Sequence, residues 1–284
     1  MLHTTAGRMA GSAMRPEWNT PMTNPVIEID GVSFAYGGDP DSCILSDISL
    51  TCAEGEFFSL LGPSGCGKTT VLRLLAGFEA PTAGSVRSNG KPITGPGVDR
   101  GVVFQGDDSL FNWLTAAENV AFGPRVRGLA GPERRQLGSR FIDLVGLKGH
   151  ERKFPSELSG GMRQRIQIAR ILANDPKIML MDEPFGALDA QTRNELQDEL
   201  VRIWSETKKT VMFITHDIAE AILMSDRIGV MSSGPNARIR EIVTVDLPRP
   251  RSRASLEFGR LYERINQHIV EEVRQSRARR RNTE

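Results

Sequence analysis

The chain has few of the features that mark secreted, disulfide-stapled or membrane-spanning proteins. Its 284 residues include only three cysteines, Cys43, Cys52 and Cys66, an odd number without the paired spacing of a metal site or a disulfide framework. Such cysteine usage is typical of a reducing compartment. No apolar run approaches the ~20 residues that a membrane-spanning helix needs, and residues 1–24 contain no apolar region of a signal peptide. We therefore expect a cytoplasmic protein that does not cross the bilayer.

An excess of charge of either sign is also missing. Lys plus Arg number 36 and Asp plus Glu number 35, so the chain has no global positive field of the kind that attracts nucleic acid. We expect no nucleic-acid partner, and any binding of anions must come from a local arrangement of residues.

The apolar pattern divides the chain into three parts. Residues 1–24 are predicted to be a disordered extension, residues 25–247 one α/β domain, and residues 248–284 a C-terminal extension with an amphipathic helix and a basic tail. Within the domain, short strands precede a helix from Lys68 to Ala76, which ends at Gly77. Helical periodicity from about 106 to 172 indicates an inserted helical region. Strands and helices then alternate to Met231, which predicts a parallel, doubly wound sheet.

A glycine-rich turn stands between the apolar run Phe57 to Leu61 and that helix. Its residues match the pattern G-x-x-x-x-G-K-[ST] and are Gly62, Pro63, Ser64, Gly65, Cys66, Gly67, Lys68 and Thr69. Such a turn points backbone N–H groups at a phosphate, and the helix adds the positive end of its dipole. We predict that residues from Gly62 to Thr70 bind ATP, with Lys68 on the β- and γ-phosphates and Thr69 on Mg²⁺. A plain glycine-rich turn is the alternative, which the strand-turn-helix setting disfavours.

Two later apolar strands end in polar residues. The run from Ile178 to Met181 leads into Asp182 and Glu183, where a P-loop enzyme supplies a carboxylate near its magnesium. We predict that Asp182 holds the metal's shell and that Glu183 is the general base for the attacking water. His216 follows another apolar strand and would contact the γ-phosphate. Taken alone, an acid pair after a buried strand is more often a helix N-cap or a solvated turn, and a lone histidine is usually structural or solvated. The P-loop upstream favours a catalytic role for both.

Residues 158–165, Leu-Ser-Gly-Gly-Met-Arg-Gln-Arg, resemble the signature motif of the ABC ATPase family. The resemblance covers the chain from Val26 to Met231. Tyr36 is similar to the aromatic residue that stacks on adenine, Gln105 to the Q-loop glutamine, and Asp189 to the last residue of the D-loop. Seven motifs in the family's order identify the chain as a member.

The resemblance implies a RecA-like P-loop NTPase core with a parallel sheet, an N-terminal antiparallel β subdomain and an inserted α-helical subdomain. It implies that Gln105 joins Thr69 and Asp182 at Mg²⁺ and acts in catalysis with Glu183 and His216. Two chains would pair head to tail as a homodimer. Ser159, Gly160, Gly161 and Asp189 of one chain would then serve the ATP bound to the other.

Residues 101–105, 112–123 and 214–221 are similar to bacterial importer subunits of the nitrate, sulfonate and taurine group. That likeness implies transmembrane permease subunits as partners, an external substrate-binding protein as an indirect partner, and a place on the cytoplasmic face of the membrane. Leu110-Phe111-Asn112-Trp113 departs from the group's usual Leu-Leu-Pro-Trp. The apolar residues of this segment would face the permease or, equally, belong to the core of the helical region.

A soluble ABC ATPase that acts on nucleic acid or the ribosome is the rival interpretation. Such proteins would show coiled-coil arms, zinc-type cysteine pairs or a second ATPase domain, none of which the sequence contains. A P-loop GTPase would carry an Asn-Lys-x-Asp motif, which is also missing. For the basic tail we expect a solvated, disordered end, with contact to anionic lipid as the alternative. Its arginines are Arg277, Arg279, Arg280 and Arg281.

Overall fold

A computed structural model describes residues 25–38, 42–106 and 109–281 of the chain. Its strands are β1 (Ile27–Ala35), β2 (Cys43–Cys52), β3 (Phe57–Leu61), β4 (Ala83–Ser88), β5 (Lys91–Pro92), β6 (Arg100–Val103), β7 (Ile178–Asp182), β8 (Thr210–Thr215), β9 (Arg227–Met231) and β10 (Ile239–Thr244). Its α-helices are α1 (Lys68–Ala76), α2 (Ala116–Val120), α3 (Phe122–Val126), α4 (Gly131–Leu144), α5 (Gly160–Leu172), α6 (Ala190–Thr207), α7 (Ile218–Met224) and α8 (Leu256–Arg281).

The strands form two sheets. The larger sheet has six strands in the order β10-β9-β3-β8-β7-β6. Its pairs are parallel except for β10, which runs antiparallel to β9. The smaller sheet is antiparallel and has the order β2-β1-β4-β5. The predicted α/β class, with a parallel central sheet and an N-terminal antiparallel sheet, is confirmed. The antiparallel edge strand β10 was not part of the prediction.

The core lies on both faces of the six-stranded sheet, which is why β3, β7 and β8 are buried along their whole lengths. Side chains of β8 alternate between the two faces. Met212 and Ile214 belong to a cluster with α1 and the antiparallel sheet. Val211 and Phe213 belong to a second cluster, which includes α5 and α6. The sheet is therefore covered on both sides, as a doubly wound arrangement requires.

The helices predicted between about 106 and 172 are present as α2 to α5, and α2 packs against both α4 and α5. Helix α2 begins with a capping box. The hydroxyl of Thr115 accepts a hydrogen bond from the N–H of Glu118, and the Glu118 carboxylate accepts one from the N–H of Thr115 at 2.9 Å. The capping box fixes where this helix begins.

The C-terminal end differs from the expectation of a disordered tail. The amphipathic helix is present, but α8 continues to Arg281. Residues after Gly259 include no glycine or proline, and glutamate, glutamine and arginine favour helix, which explains the continuation. The side chains of Val273 and of residues 275–281, and the whole predicted extension 1–24, lie outside the described residues. Among the described helices, α8 included, none combines the length and the apolar character that crossing a bilayer needs.

Candidate functional site

The glycine-rich turn after β3 is shaped as an anion cradle. Gly65 and Gly67 have φ angles of 77° and 90°, which side chains rarely tolerate. A Cβ on Gly67 would lie 2.6 Å from Leu45 Cδ2 of the antiparallel sheet. Gly67 is also the N-cap of α1, and no side chain caps the helix there. The first N–H groups of α1 therefore remain available for a phosphate.

Lys68 is held inside this turn. Its Nζ donates to the backbone oxygens of Gly62 at 2.9 Å and Pro63 at 3.0 Å, and the residue is only 5% exposed. The carboxylate of Glu183 lies 3.9 Å from the same Nζ. A buried ammonium must be compensated by acceptors and by opposite charge. These contacts hold the Lys68 side chain at the cradle, where its ammonium can neutralise phosphate oxygens.

Asp182 and Thr69 form a pair of oxygen ligands beside the cradle. The Thr69 hydroxyl donates to Asp182 Oδ1 at 3.2 Å. Burial raises the pKa of the Asp182 carboxyl, while the hydrogen bond from Thr69 lowers it. The described residues contain no group of three or more His, Cys, Asp or Glu side chains placed to hold a metal. One carboxylate and one hydroxyl suit Mg²⁺, which keeps water ligands and takes further oxygens from a bound phosphate.

Glu183 stands between the cradle and His216. Its Oε2 lies 3.0 Å from His216 Nδ1, and its Oε1 faces Lys68. β7 and β8 are parallel neighbours in which Asp182 pairs with Ile214, so their carboxyl ends meet at one edge of the sheet. Glu183 has a φ of 43°, an uncommon backbone conformation for this residue type that is often found at functional sites. The arrangement places a carboxylate where it can take a proton from water.

A small pocket opens beside Glu183 and His216. Its lining residues are Glu183, Gly186, Arg193, Thr215, His216, Asp217 and Glu220. The lining is mainly charged and polar, so the pocket suits water or a polar group next to the Glu183 carboxylate. The structure thus brings together the predicted groups from α1, β7 and β8.

Residues 45–186 match the family model described as ABC transporter. The chain is 52% identical over 232 residues to an uncharacterized ABC transporter ATP-binding protein of Methanocaldococcus jannaschii, which covers 82% of this chain and 86% of that protein. The chain belongs to the ABC transporter ATP-binding family. Members of this family are ATPases coupled to transport, and the chain is such an ATP-binding subunit.

Two further likenesses agree with this assignment. The aliphatic sulfonates import ATP-binding protein SsuB of Bacillus licheniformis is 43% identical over 239 residues, 84% of this chain and 91% of that protein. A solved dimeric structure of an ATP-binding cassette, in a post-hydrolysis state bound to ADP and Pi, has a TM-score of 0.66 and 31% identity. It covers 78% of this chain and 100% of that chain. The predicted P-loop NTPase fold is therefore confirmed.

In this ABC ATPase, a series of contacts across β1 and β2 connects Tyr36 to the cradle. Its ring packs edge-on against Phe34, with centroids 4.9 Å apart. Phe34 pairs with Leu45 across β1 and β2, and Leu45 lies against Gly67. Tyr36 is 49% exposed, so its ring is available for stacking. The predicted contact with adenine remains a prediction.

Gln105 follows β6 and is exposed, and its amide nitrogen would lie 3.7 Å from a Cβ on Gly186. Gly186 lines the pocket next to Glu183. Gln105 therefore lies near the Glu183 carboxylate, although its strand, β6, is three positions from β3 in the sheet. Its predicted contact with Mg²⁺ remains a prediction.

The signature residues lie at the start of α5, next to α6. Ser159 is the N-cap of α5, and its hydroxyl accepts a hydrogen bond from the N–H of Met162 at 3.3 Å. A Cβ on Gly161 would lie 2.5 Å from Thr192 Cγ2, so the start of α5 packs closely on α6. Asp189 caps α6, and backbone hydrogen bonds lower its pKa. Within the described residues no hydrogen bond joins Ser159 to the turn of residues 62–69.

The apolar segment from Leu110 to Leu114 could face the permease or belong to the core, and the structure shows both buried and exposed residues in it. Leu110 is 5% exposed and belongs to the core cluster that joins α5 and α6 to one face of the large sheet. Trp113 is 73% exposed, with its ring centroid 5.3 Å from that of Phe111. The segment contributes to the core at one end and to the surface at the other.

Sequence reasoning missed three buried polar residues behind His216: Thr215, Glu220 and Gln197. Their side chains are joined by hydrogen bonds. The sequence feature that could have indicated this buried polar group is Glu220, a glutamate four residues after His216 on the face of α7 that also carries apolar residues. An acid at a core-facing position requires partners, which the sequence alone does not name.

Proposed function

We propose that the chain is the ATP-hydrolysing subunit of a bacterial ABC importer and drives a permease by ATP-dependent head-to-tail dimerisation. The observation that carries the proposal is the position of Glu183, which faces Lys68 at 3.9 Å and His216 at 3.0 Å. A carboxylate that connects the phosphate-neutralising lysine to a histidine is suited to hold the attacking water and to accept its proton.

In this mechanism the residues from Gly62 to Thr70 hold the triphosphate, and Tyr36 stacks on the adenine. Thr69, Asp182 and Gln105 would hold Mg²⁺, which would supply positive charge to neutralise the phosphate oxygens. Glu183 takes the proton of the water, and His216 contacts the γ-phosphate. These assignments are supported by the hydrogen bond between Thr69 and Asp182 and by the approach of Gln105 to Gly186.

The dimer follows from the exposed start of α5. Ser159, Gly160 and Gly161 present a helix N-terminus, which attracts an anion, and Asp189 lies at the adjacent start of α6. Paired with a second copy, they complete the site around its γ-phosphate. ATP then binds the closed dimer better than the open chain, which is the differential affinity that a conformational change needs.

The importer assignment is supported by the likeness to the sulfonate import protein and by the residues similar to the nitrate, sulfonate and taurine group. Transmembrane permease subunits bind this ABC ATPase at the cytoplasmic face of the membrane, and an external binding protein delivers the substrate. The substrate is a small anion or a sulfonate such as nitrate, taurine or an alkanesulfonate. Residues 25–247 form the ATPase domain, with the helical subdomain at about 106–172.

The test uses Glu183→Gln, which keeps the size of the side chain and removes the base. We expect hydrolysis to fall by about 10²–10⁴-fold while ATP binding persists. With MgATP the variant should elute as a dimer on a sizing column. Hydrolysis at the wild-type rate would remove Glu183 from the role of base.

Addition of Ser159→Arg to the Glu183→Gln chain tests the head-to-tail geometry. A bulky cation at the start of α5 should abolish the ATP-dependent dimer and leave ATP binding intact. Ser205→Arg, at an exposed position near the end of α6, is the matched control and should leave the dimer unchanged. A dimer that survives Ser159→Arg would contradict the proposed interface.

A further inference from the structure

A series of hydrogen bonds lies behind His216 and extends to the C-terminal segment. The Thr215 hydroxyl donates to Glu220 Oε2 at 2.7 Å, and the Gln197 amide donates to Glu220 Oε1 at 2.9 Å. Arg253 donates to Gln197 Oε1, and also to Asn194 Oδ1 at 2.6 Å. We call Thr215, Glu220, Gln197 and Arg253 the Glu220 relay. It joins β8, α7 and α6 to residues that follow the ATPase domain.

The inner part of the Glu220 relay is buried and its polar atoms are paired. Thr215, Gln197 and Glu220 are 1%, 0% and 6% exposed. Burial raises the pKa of Glu220, while the hydrogen bonds and the nearby charge of Arg193 lower it. A buried carboxylate costs stability unless it is fully hydrogen-bonded. An apolar side chain would fill this space without that cost, so the polar arrangement calls for a role other than packing.

The relay controls the backbone on both sides of His216. The Thr215 hydroxyl accepts a hydrogen bond from the N–H of Asp217 at 3.0 Å while it donates to Glu220. Asp217 in turn caps α7 and accepts from the N–H of Glu220 at 3.1 Å. The His216 ring is 56% exposed and makes its hydrogen bond with Glu183. Its position is therefore set by the turn that carries it more than by packing around the ring.

We propose that Glu220 is a positioning residue for ATP hydrolysis: with Thr215 and Gln197 it fixes the turn that aims His216 at Glu183. Arg253 ties this arrangement to the C-terminal segment. The inference rests on the proposed catalytic role of His216. Glu220 itself does not contact ATP in this proposal, because it acts through the turn that carries His216.

The first experiment measures steady-state ATPase kinetics of the full chain carrying Gln197→Met. Methionine fills the space of glutamine and leaves Glu220 Oε1 without its donor. Because a misplaced catalytic group costs up to about 100-fold in rate, we expect kcat to fall by roughly 10-fold or more. The KM for ATP should change by less than about twofold, since the cradle around Lys68 is untouched. Gln267→Met, an exposed position on α8, is the matched control and should behave as wild type.

A second pair of variants guards against a general defect of folding. Thr215→Val keeps the shape of the side chain and removes the hydroxyl, whereas Thr215→Ser keeps the hydroxyl. Thr215→Val should reproduce the loss of kcat, and Thr215→Ser should recover most of it. If Thr215 had a purely structural role, the loss of activity would depend on side-chain volume. Thr215→Ser, which removes a methyl group, would then be more damaging than Thr215→Val.

The decisive experiment repeats Gln197→Met in a His216→Ala background, as a double-mutant cycle. If the relay acts through His216, the second substitution causes no further fall in single-turnover rate. An equal fall in both backgrounds would overturn the inference. A wild-type rate for His216→Ala alone would instead refute the proposed role of the histidine. The two failures are therefore distinguishable.

Discussion

Replacement of Asp182 by asparagine should stabilise the nucleotide-free protein and abolish Mg²⁺-dependent hydrolysis. Asp182 is 8% exposed, and burial, with a smaller contribution from Glu183, raises the pKa of its carboxyl. The folded state thus disfavours the charged form that a metal needs. Asparagine offers Thr69 the same acceptor oxygen without a charge to desolvate. The substitution therefore removes the free-energy cost of burying the carboxylate, and it also removes the anionic ligand for Mg²⁺.

The expected gain is about 1 kcal/mol in the free energy of unfolding, within the usual range for relief of an unfavourable active-site group. For a domain of this size that corresponds to a rise in Tm of about 2–4 °C. The sign of the pH dependence follows from linkage. Because folding raises the pKa of Asp182, the ionised carboxyl destabilises the folded state to its full extent above the folded pKa. The cost disappears below the unfolded value of about 3.9, where both states are protonated.

The assay is thermal unfolding in EDTA without nucleotide at pH 7 and near pH 4, together with ATPase activity in Mg²⁺. Asp198→Asn, at an exposed position in the middle of α6, is the control and should leave Tm nearly unchanged. A lower Tm for Asp182→Asn at pH 7 would refute the reasoning. So would a gain of equal size at both pH values, because the burial of charge would then not be its cause.

Two further predictions concern the cradle. Lys68→Ala should weaken ATP binding by roughly 10- to 100-fold, because a charge-assisted hydrogen bond to phosphate contributes about 1.5–3 kcal/mol. Titration with a fluorescent nucleotide measures the affinity. An unchanged affinity would contradict the assignment of Lys68 to the phosphates. Gly67→Ala should lower both ATP affinity and Tm, because its φ is 90° and its Cβ would lie 2.6 Å from Leu45 Cδ2. Gly90→Ala separates backbone strain from steric clash, since Gly90 also has a positive φ, 72°, but nothing lies within 4 Å of its Cβ. If the two alanine variants lose the same stability and affinity, the contact with Leu45 plays no part.

The parts of the site that depend on local signals were predictable from the sequence. Helix α1 begins at Lys68 and ends at Ala76 as predicted, because a glycine stands at each end and both adopt a left-handed conformation there. Asp182 and Glu183 lie at the end of β7, as the sequence predicted, because the apolar run before them has the length of a buried strand. In both cases the residues that determine the structure are neighbours in the chain.

Features that depend on distant pairing were not predictable. β10 joins the sheet antiparallel to β9, but its alternation of apolar and polar residues does not say which edge it takes. The hydrogen bond between Gln197 and Glu220 connects α6 and α7, and helical periodicity gives no sign that the two side chains face each other. Residues 1–24, 39–41, 107–108 and 282–284 lie outside what the structure describes.

The order of the strands explains why the site needs so much of the chain. β3, β8 and β7 are consecutive neighbours in the sheet, so the cradle, His216 and Glu183 meet where these strands end. Glu183 contacts groups from both other strands, and a shift of any one strand end changes its distance to Lys68 or to His216. Packing of α6 and α7 behind β8 can therefore reach the reacting groups without touching nucleotide. This makes the region behind His216 a point at which the C-terminal segment can influence the rate of hydrolysis.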